Sequence, residues 1–579
     1  MIRRRICYNA KGKKLAQIKS HHNLILLFLI LFHGICNYIW LSYNPMPPFW
    51  DESRYLLMGL KYKDLFSQIS SFNFGQFAEI GGYYPPLFLI SSLILTFLWG
   101  DSIRTMAMTN IIYMVIMLFS IFKIGEKIFD RKTGLWAAFI LSIFPIIFGT
   151  SRMFLLDYAL SAMVTLSIYL LLLTDYFKNT KNSILFGYSL GLGMLTKNTF
   201  GGFIVGPLFY TFYSSMLKGS KEEMCKRIVN LFYSLSIGVI LALPWYVLSF
   251  PFALHKLIAL YRFFLTNLKQ TSTCLLCIVL LFIIFVVRKT CKHYSLSQIY
   301  LKSRILIFCL LLGLFYLQNK AVVTNILWYF YKMDDQVGVS FFILFIFVCN
   351  RFLSRKQQNT QILFLWLWIA IPYFLSYFFT KQLRYTMPYL PAVALIIAAE
   401  IQKFNNRKVK KFLLSSIFIL SLVQFSIGFL YDGRVKVDDK ITEILKWIDE
   451  DAKKKMVTVG LIVNTDFLNH ETLSYYAFLN KLHIEIKGYV SGYTLKNINL
   501  GCFESDYIIT LSDPRVYRRK WNKEVILILH QLLQENSEFV LVKEVKMPYY
   551  MAPNQEIDNQ TSFLLSSTDI LLYIYKKVD

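Results

Sequence analysis

Chemistry in this chain concentrates in five short stretches, each beside a long apolar run. The first is Pro47-Pro48-Phe49-Trp50-Asp51-Glu52-Ser53-Arg54-Tyr55. Paired acids at a membrane surface suit a general base acting on a membrane-held substrate. The same acids also suit a helix start, where the dipole favours negative charge. The second stretch, Gly81-Gly82-Tyr83-Tyr84-Pro85-Pro86-Leu87, combines a glycine-permitted turn with a proline-stiffened helix entry. The third, Arg152 to Asp157, puts an acid and a guanidinium at a span boundary, as an ion pair or a substrate contact. Snorkelling to the interface accounts for Arg152 better than for Asp157. The fourth places Lys197 inside a mostly apolar run, where it is costly unless it meets a cavity or a partner. The fifth, Lys381-Gln-Leu-Arg384-Tyr385-Thr-Met-Pro388-Tyr-Leu-Pro391, offers cations suited to a phosphate, arginine being the bidentate donor.

The elements that must position these residues are membrane helices. The chain has 579 residues, of which 56% are hydrophobic, and its mean hydropathy is +0.47. The net charge of +27 falls in short segments between apolar runs, the distribution of the positive-inside rule rather than of a nucleic-acid binder. The nine cysteines lie mostly in or beside apolar runs, so no disulfide framework follows. Residues 1–23 form a basic segment expected on the cytoplasmic side, followed by an uncleaved first span at 24–43. The run 87–99, only about thirteen residues, is short for a span and reads as interfacial within a first outer loop, 44–104. With it interfacial, every basic connection (123–132, 178–181, 217–227, 288–304, 351–356 and 403–411) falls on one side. The expected spans then lie near 105–122, 134–150, 158–174, 183–197, 200–216, 230–250, 274–288, 305–319, 338–350, 361–379, 386–400 and 412–430, about thirteen with the first. The stretch 183–216 reads equally as one long helix or two short ones. An odd count puts the tail, 432–579, outside. That tail reads as an α/β domain, with strands near 457–463, 484–489, 507–511, 539–545 and 571–575 in a mostly parallel sheet.

Taken in order, the Trp50-Asp51-Glu52 motif with Arg54 and Tyr55, the Tyr-Pro-Pro-Leu turn, the Arg152–Asp157 loop, Leu195-Thr196-Lys197 and the Arg384-Tyr385 segment resemble the GT-C membrane glycosyltransferases of the protein O-mannosyltransferase and ArnT type. The resemblance spans roughly 24–400. It implies a transmembrane GT-C module at 24–431 and an inverting transfer of a sugar from a polyprenyl-phosphate donor to a lipid, protein or glycan acceptor. The setting would be the extracytoplasmic face of the cell membrane. By the same resemblance Asp51, with Glu52 beside it, is the catalytic base, and Asp157 is the second acid. Arg384 lies near the lipid phosphate, and Arg54, Tyr83, Tyr84, Arg152, Lys197, Lys381 and Tyr385 line the substrate. Where ArnT-like members carry an acid and a lysine before the two prolines, serving a metal and the phosphate, this chain has Tyr83 and Tyr84. A divalent metal stays open as a cofactor, but its expected acidic ligand is absent, and no cofactor is assigned. The rival reading is a polytopic lipid or sugar transporter or flippase. A transporter calls for internal repeats or matched broken helices, and the sequence shows no convincing repeat.

Overall fold

The structure, a computed structural model, describes the chain outside residues 1, 44–46, 69, 71, 217–219, 267–327, 329–331, 339–340, 343, 347–359, 376–381, 431–437, 464, 466–467, 490–499, 512–519, 550–567 and 579. Lys381 and the expected spans 274–288 and 305–319 lie outside the described residues.

The chain is mostly helical up to residue 430. Among the described residues, four helical stretches are long and apolar enough to cross a membrane: His21–Tyr43, Ile103–Ile128, Leu156–Leu173 and Lys221–Leu254. Prolines break several of the other expected spans. Pro145 opens a short helix, Pro145–Thr150, and ends the preceding Arg131–Ser142, because proline clashes with the turn before it. The segment expected near 386–400 begins as a 3₁₀ turn, Leu383–Tyr389, containing Pro388; it becomes α-helical only at Leu390–Gln402. The stretch 183–216 is two helices, Thr180–Met194 and Phe200–Met216, with Lys197 in the break. Leu87–Trp99 is likewise two short helices, Leu87–Ser91 and Leu93–Trp99.

Close helix packing relies on paired glycines. A Cβ on Gly134 would lie 2.3 Å from the Phe122 carbonyl oxygen, and one on Gly125 2.4 Å from Gly134 Cα. This lets Asn110–Ile128 and Arg131–Ser142 touch backbone to backbone.

Several of the described basic turns are tied to neighbouring helix ends. Arg131 pairs with Glu126 and with Asn23 at the start of the first apolar stretch; Asn230 Nδ2 donates to the Phe177 carbonyl at 2.7 Å, and Arg227 Nη1 to that of Ser215 at 2.7 Å. Asp157 starts the helix that ends before Phe177, and Lys197 precedes the helix that ends beyond Ser215, so both lie at the opposite ends of these helices.

The tail contains a five-stranded sheet of order β2-β1-β3-β5-β4. Its strands are β1 (Val457–Ile462), β2 (Ile484–Gly488), β3 (Tyr507–Leu511), β4 (Phe539–Tyr549) and β5 (Thr568–Lys577). β1 is parallel to β2 and β3, but β5 runs antiparallel to both β3 and β4. The sheet is mixed rather than mostly parallel because the last strand returns between β3 and β4 and runs antiparallel to both. Helix His470–Leu479, between β1 and β2, faces the membrane part.

Candidate active site

Asp51 lies in the first turn of helix Trp50–Ser67, which starts at an extended Phe49 with no side-chain cap. The acids of this turn compensate the exposed N–H groups. Their side chains part ways. Glu52 is buried, and its Oε1 accepts the Phe154 backbone N–H at 2.8 Å. Asp51 points to Arg384, whose Nη2 donates to Oδ2.

Three contacts fix the loop that delivers Asp157. Asn110 Nδ2 donates to the carbonyls of Ser151 at 3.2 Å and Met153 at 2.7 Å, while Glu52 holds Phe154. Helix Leu156–Leu173 then begins, with Asp157 in its first turn. Its carboxylate, with 2% of the side chain exposed, accepts Lys197 Nζ at 2.6 Å and lies 3.6 Å from Arg384 Nε. Lys197 comes from the break after Thr180–Met194, where Gly193 is packed so tightly that a Cβ would sit 2.2 Å from the Phe200 ring. Arg384 comes from the 3₁₀ turn, tied by Trp368 Nε1 to the Pro388 carbonyl (3.1 Å) and by Thr386 Oγ1 to Gln336 (2.6 Å).

The result is a relay of alternating charge: Lys197, Asp157, Arg384, Asp51. Three of the four side chains are at least 85% buried, whereas that of Asp51 is 31% exposed. The inner charges are retained because they are paired; an unpaired one would cost several kcal/mol. Asp51 is the member of the relay open to an incoming molecule. The Tyr385 ring stacks under two of the cations, 4.9 Å from Lys197 Nζ and 5.5 Å from the Arg384 guanidinium.

A second cluster adjoins the first. Tyr55 feels the charges of Asp51, Asp157 and Arg384 and packs edge-on against Tyr84, with ring centroids 5.1 Å apart. Tyr83 donates its hydroxyl to Tyr84, and Arg54 Nη1 donates to the Tyr84 hydroxyl at 3.3 Å. The Tyr83–Leu87 turn, entered through Gly82 at φ +56°, is stitched to the Lys197 break. Asn198 Nδ2 donates to the Tyr83 carbonyl at 2.8 Å and Leu87 N–H to the Leu195 carbonyl at 3.0 Å.

The structure thus brings together Asp51, Asp157, Lys197, Arg384 and Tyr385, with Arg54, Tyr83 and Tyr84 alongside. Glu52 holds the Asp157 loop from behind. Arg152 turns to the first apolar helix, its guanidinium 3.7 Å from the Phe148 ring centroid and 4.7 Å from that of Trp40.

Sequence reasoning missed Tyr55 as a site residue, and it missed Glu471. Arg54 Nε donates to Glu471 Oε1 at 2.8 Å and Nη2 reaches the same oxygen. Burial alone would raise the Glu471 carboxyl, but His470 (Nδ1 3.7 Å away) and Arg54 outweigh it and bring the carboxyl down to about 2. The sequence signal was slight: Asn469 caps helix His470–Leu479 through the Thr472 N–H, leaving Glu471 in its first turn.

Residues 84–248 match the family model described as dolichyl-phosphate-mannose-protein mannosyltransferase. That segment carries Tyr84, Arg152, Asp157 and Lys197, and the fold adds Asp51 and Arg384 to them. The chain is similar in structure to ArnT from Cupriavidus metallidurans bound to undecaprenyl phosphate, with TM-score 0.55, 9% identity, and coverage of 95% of this chain and 97% of that one. The apo state of the same protein gives TM-score 0.54 and 10% identity over the same shares. This is a GT-C fold. The Archaeoglobus fulgidus oligosaccharyltransferase tethered with an acceptor peptide is more distant, at TM-score 0.49 and 11% identity over 84% of this chain and 69% of that one. No curated protein matches the sequence.

Within the GT-C fold, the tyrosines before the prolines matter. Tyr83 donates to Tyr84, and Tyr84 also accepts from Arg54, so both hydroxyls are engaged with side chains. Among the described residues, no three His, Cys, Asp or Glu side chains converge to hold a metal ion. The donor set of the described site does not fit a divalent metal.

Proposed function

We propose that the chain is an inverting glycosyltransferase that moves a sugar from a polyprenyl-phosphate donor to a lipid, protein or glycan acceptor. It works at the extracytoplasmic face of the cell membrane. Its N-terminus is cytoplasmic, its module at 24–431 has about thirteen spans, and the tail, 432–579, lies on the side of the site. The orientation is supported by the turns at Phe177 and Ser215, at the far ends of the helices beside Asp157 and Lys197, and by Arg131 beside Asn23 at the far end of the helix that precedes Asp51.

Asp51 is the base. The observation that carries this assignment is its position at the open end of a charge relay whose other members are buried. The acceptor oxygen (or nitrogen) attacks the anomeric carbon, and Asp51 takes its proton. The bond from that carbon to the phosphate oxygen breaks on the opposite face, and its electron pair leaves on the phosphate. Base assistance of this kind contributes typically ~10²–10⁴-fold. The donor phosphate competes with Asp51 for the Arg384 guanidinium. As negative charge grows on the leaving phosphate, Arg384 and Arg54 stabilise it and Asp51 is released to accept the proton. Asp157, locked by Lys197, keeps Arg384 aimed at this position.

Proteoliposomes loaded with a radiolabelled polyprenyl-phosphate sugar and a mixture of lipid, peptide and glycan acceptors test the proposal. Label covalently joined to an acceptor supports it. Movement of intact donor between leaflets, with no label transferred, would establish a flippase instead.

A further inference from the structure

The Glu471–Arg54 contact joins the tail to the membrane module inside the site, across 417 residues of chain. Two neighbouring contacts show that this is a docked surface. Thr472 Oγ1 lies 3.0 Å from Ser53 Oγ, and it donates to the Pro48 carbonyl at 3.1 Å. All of them fall on the turn that carries Asp51.

The bonding of Arg54 is directional. A single Glu471 oxygen takes the Nε and Nη2 edge, leaving Nη1 turned to the Tyr84 hydroxyl. Arg54 stands one helical turn after Asp51, on the same face. Its side chain is 33% exposed, while that of Glu471 is only 10% exposed. The buried acid holds one edge of the guanidinium, and Nη1 on the other edge meets the Tyr84 hydroxyl, which also accepts from Tyr83. An oxyanion arriving there would meet Nη1 and the tyrosine donors together. Without Glu471, Arg54 is free to swing toward Asp51 and pair with the base.

We infer that Glu471 is a positioning residue: the C-terminal domain completes the active site by fixing Arg54 for the donor phosphate and keeping it off Asp51. This rests on the glycosyl-transfer reading and deepens it. The tail then sets donor affinity, beyond any part it plays in stability.

The test uses the full chain in lipid nanodiscs, with transfer kinetics and binding of polyprenyl phosphate as separate readouts. Glu471→Gln and Arg54→Gln should each raise the donor KM and weaken polyprenyl phosphate binding by about tenfold or more, and each should also lower kcat, because Arg54 serves the leaving phosphate and a released Arg54 pairs with the base. The double variant should be no worse than Arg54→Gln alone, because Glu471 acts only through Arg54. Glu471→Asp, which keeps the charge, should fall between wild type and Glu471→Gln. Thr472→Val loosens the docking without touching Arg54; it should lower hydrogen-exchange protection of helix His470–Leu479 and leave donor KM alone. The charge swap, Arg54→Glu with Glu471→Arg, restores the bond between the parts but moves the cation. It should recover protection while donor KM stays high. If the swap recovers KM, or Glu471→Gln leaves KM and binding unchanged, Glu471 is only a tether and the inference is overturned. A wild type that neither binds polyprenyl phosphate nor transfers sugar would overturn the functional reading itself, whatever the variants do.

Discussion

Acid should loosen the C-terminal domain from the site, and Glu471 sets the size of the effect. Its carboxyl is brought down to about 2 in the folded chain, from an ordinary value of 4.5. A carboxyl lowered on folding adds stability that is complete above the ordinary value and is lost as pH falls toward the folded one. The window is therefore pH 4.5 to 2. The difference is worth roughly 3 kcal/mol at most, at about 1.4 kcal/mol per unit. Arg54 is a third exposed, and solvent screening reduces the figure to about 1–2 kcal/mol. That corresponds to an opening of the docked helix roughly 5–30-fold more frequent at the acid end. Hydrogen exchange of residues 470–479 in nanodiscs, expressed as protection against the intrinsic rate, measures it at pH 6 and near pH 3. Wild type should lose protection across this range. Glu471→Gln should start less protected and lose markedly less, because other carboxylates titrate in both proteins and only Glu471 differs. Equal losses in the two would refute the reasoning.

Removing the guanidinium in Arg384→Gln leaves Asp51 and Asp157 with a single cation, Lys197; a loss of about 3 kcal/mol in stability is expected, with transfer reduced at saturating donor, read by denaturation midpoint and steady-state kinetics. Glu52→Gln keeps an acceptor for the Phe154 N–H, so it should retain most of the activity, whereas Glu52→Ala should release the loop and lower both thermal stability and transfer. Gly134→Val would drive a side chain into the Phe122 carbonyl; the bundle should lose about 3 kcal/mol or more, visible as loss of folded protein in detergent size-exclusion profiles.

What the sequence made legible was what carries a large local energy. Lys197 in an apolar run demanded a partner, and Asp157 supplies it. The alternating tail segments form strands where apolar and β-branched residues recur. Harder to read were choices made by distant contacts. Asp51 and Glu52 are adjacent and chemically alike, and a helix points neighbours about 100° apart. Only the packing of the Phe154 loop decides that Glu52 goes inward. Arg152 and Arg384 both sit at apolar boundaries, yet aromatic rings capture one and carboxylates the other. The β5 reversal and the Glu471 contact depend on pairings between remote segments, which residue periodicity does not encode.

The most direct test of the account is single-turnover transfer by Asp51→Asn, with donor binding measured in parallel. This variant should fold, bind polyprenyl phosphate at least as well as wild type because Arg384 is freed, and transfer sugar slower by about 10²-fold or more. Transfer at the wild-type rate by a variant that binds donor normally would contradict it.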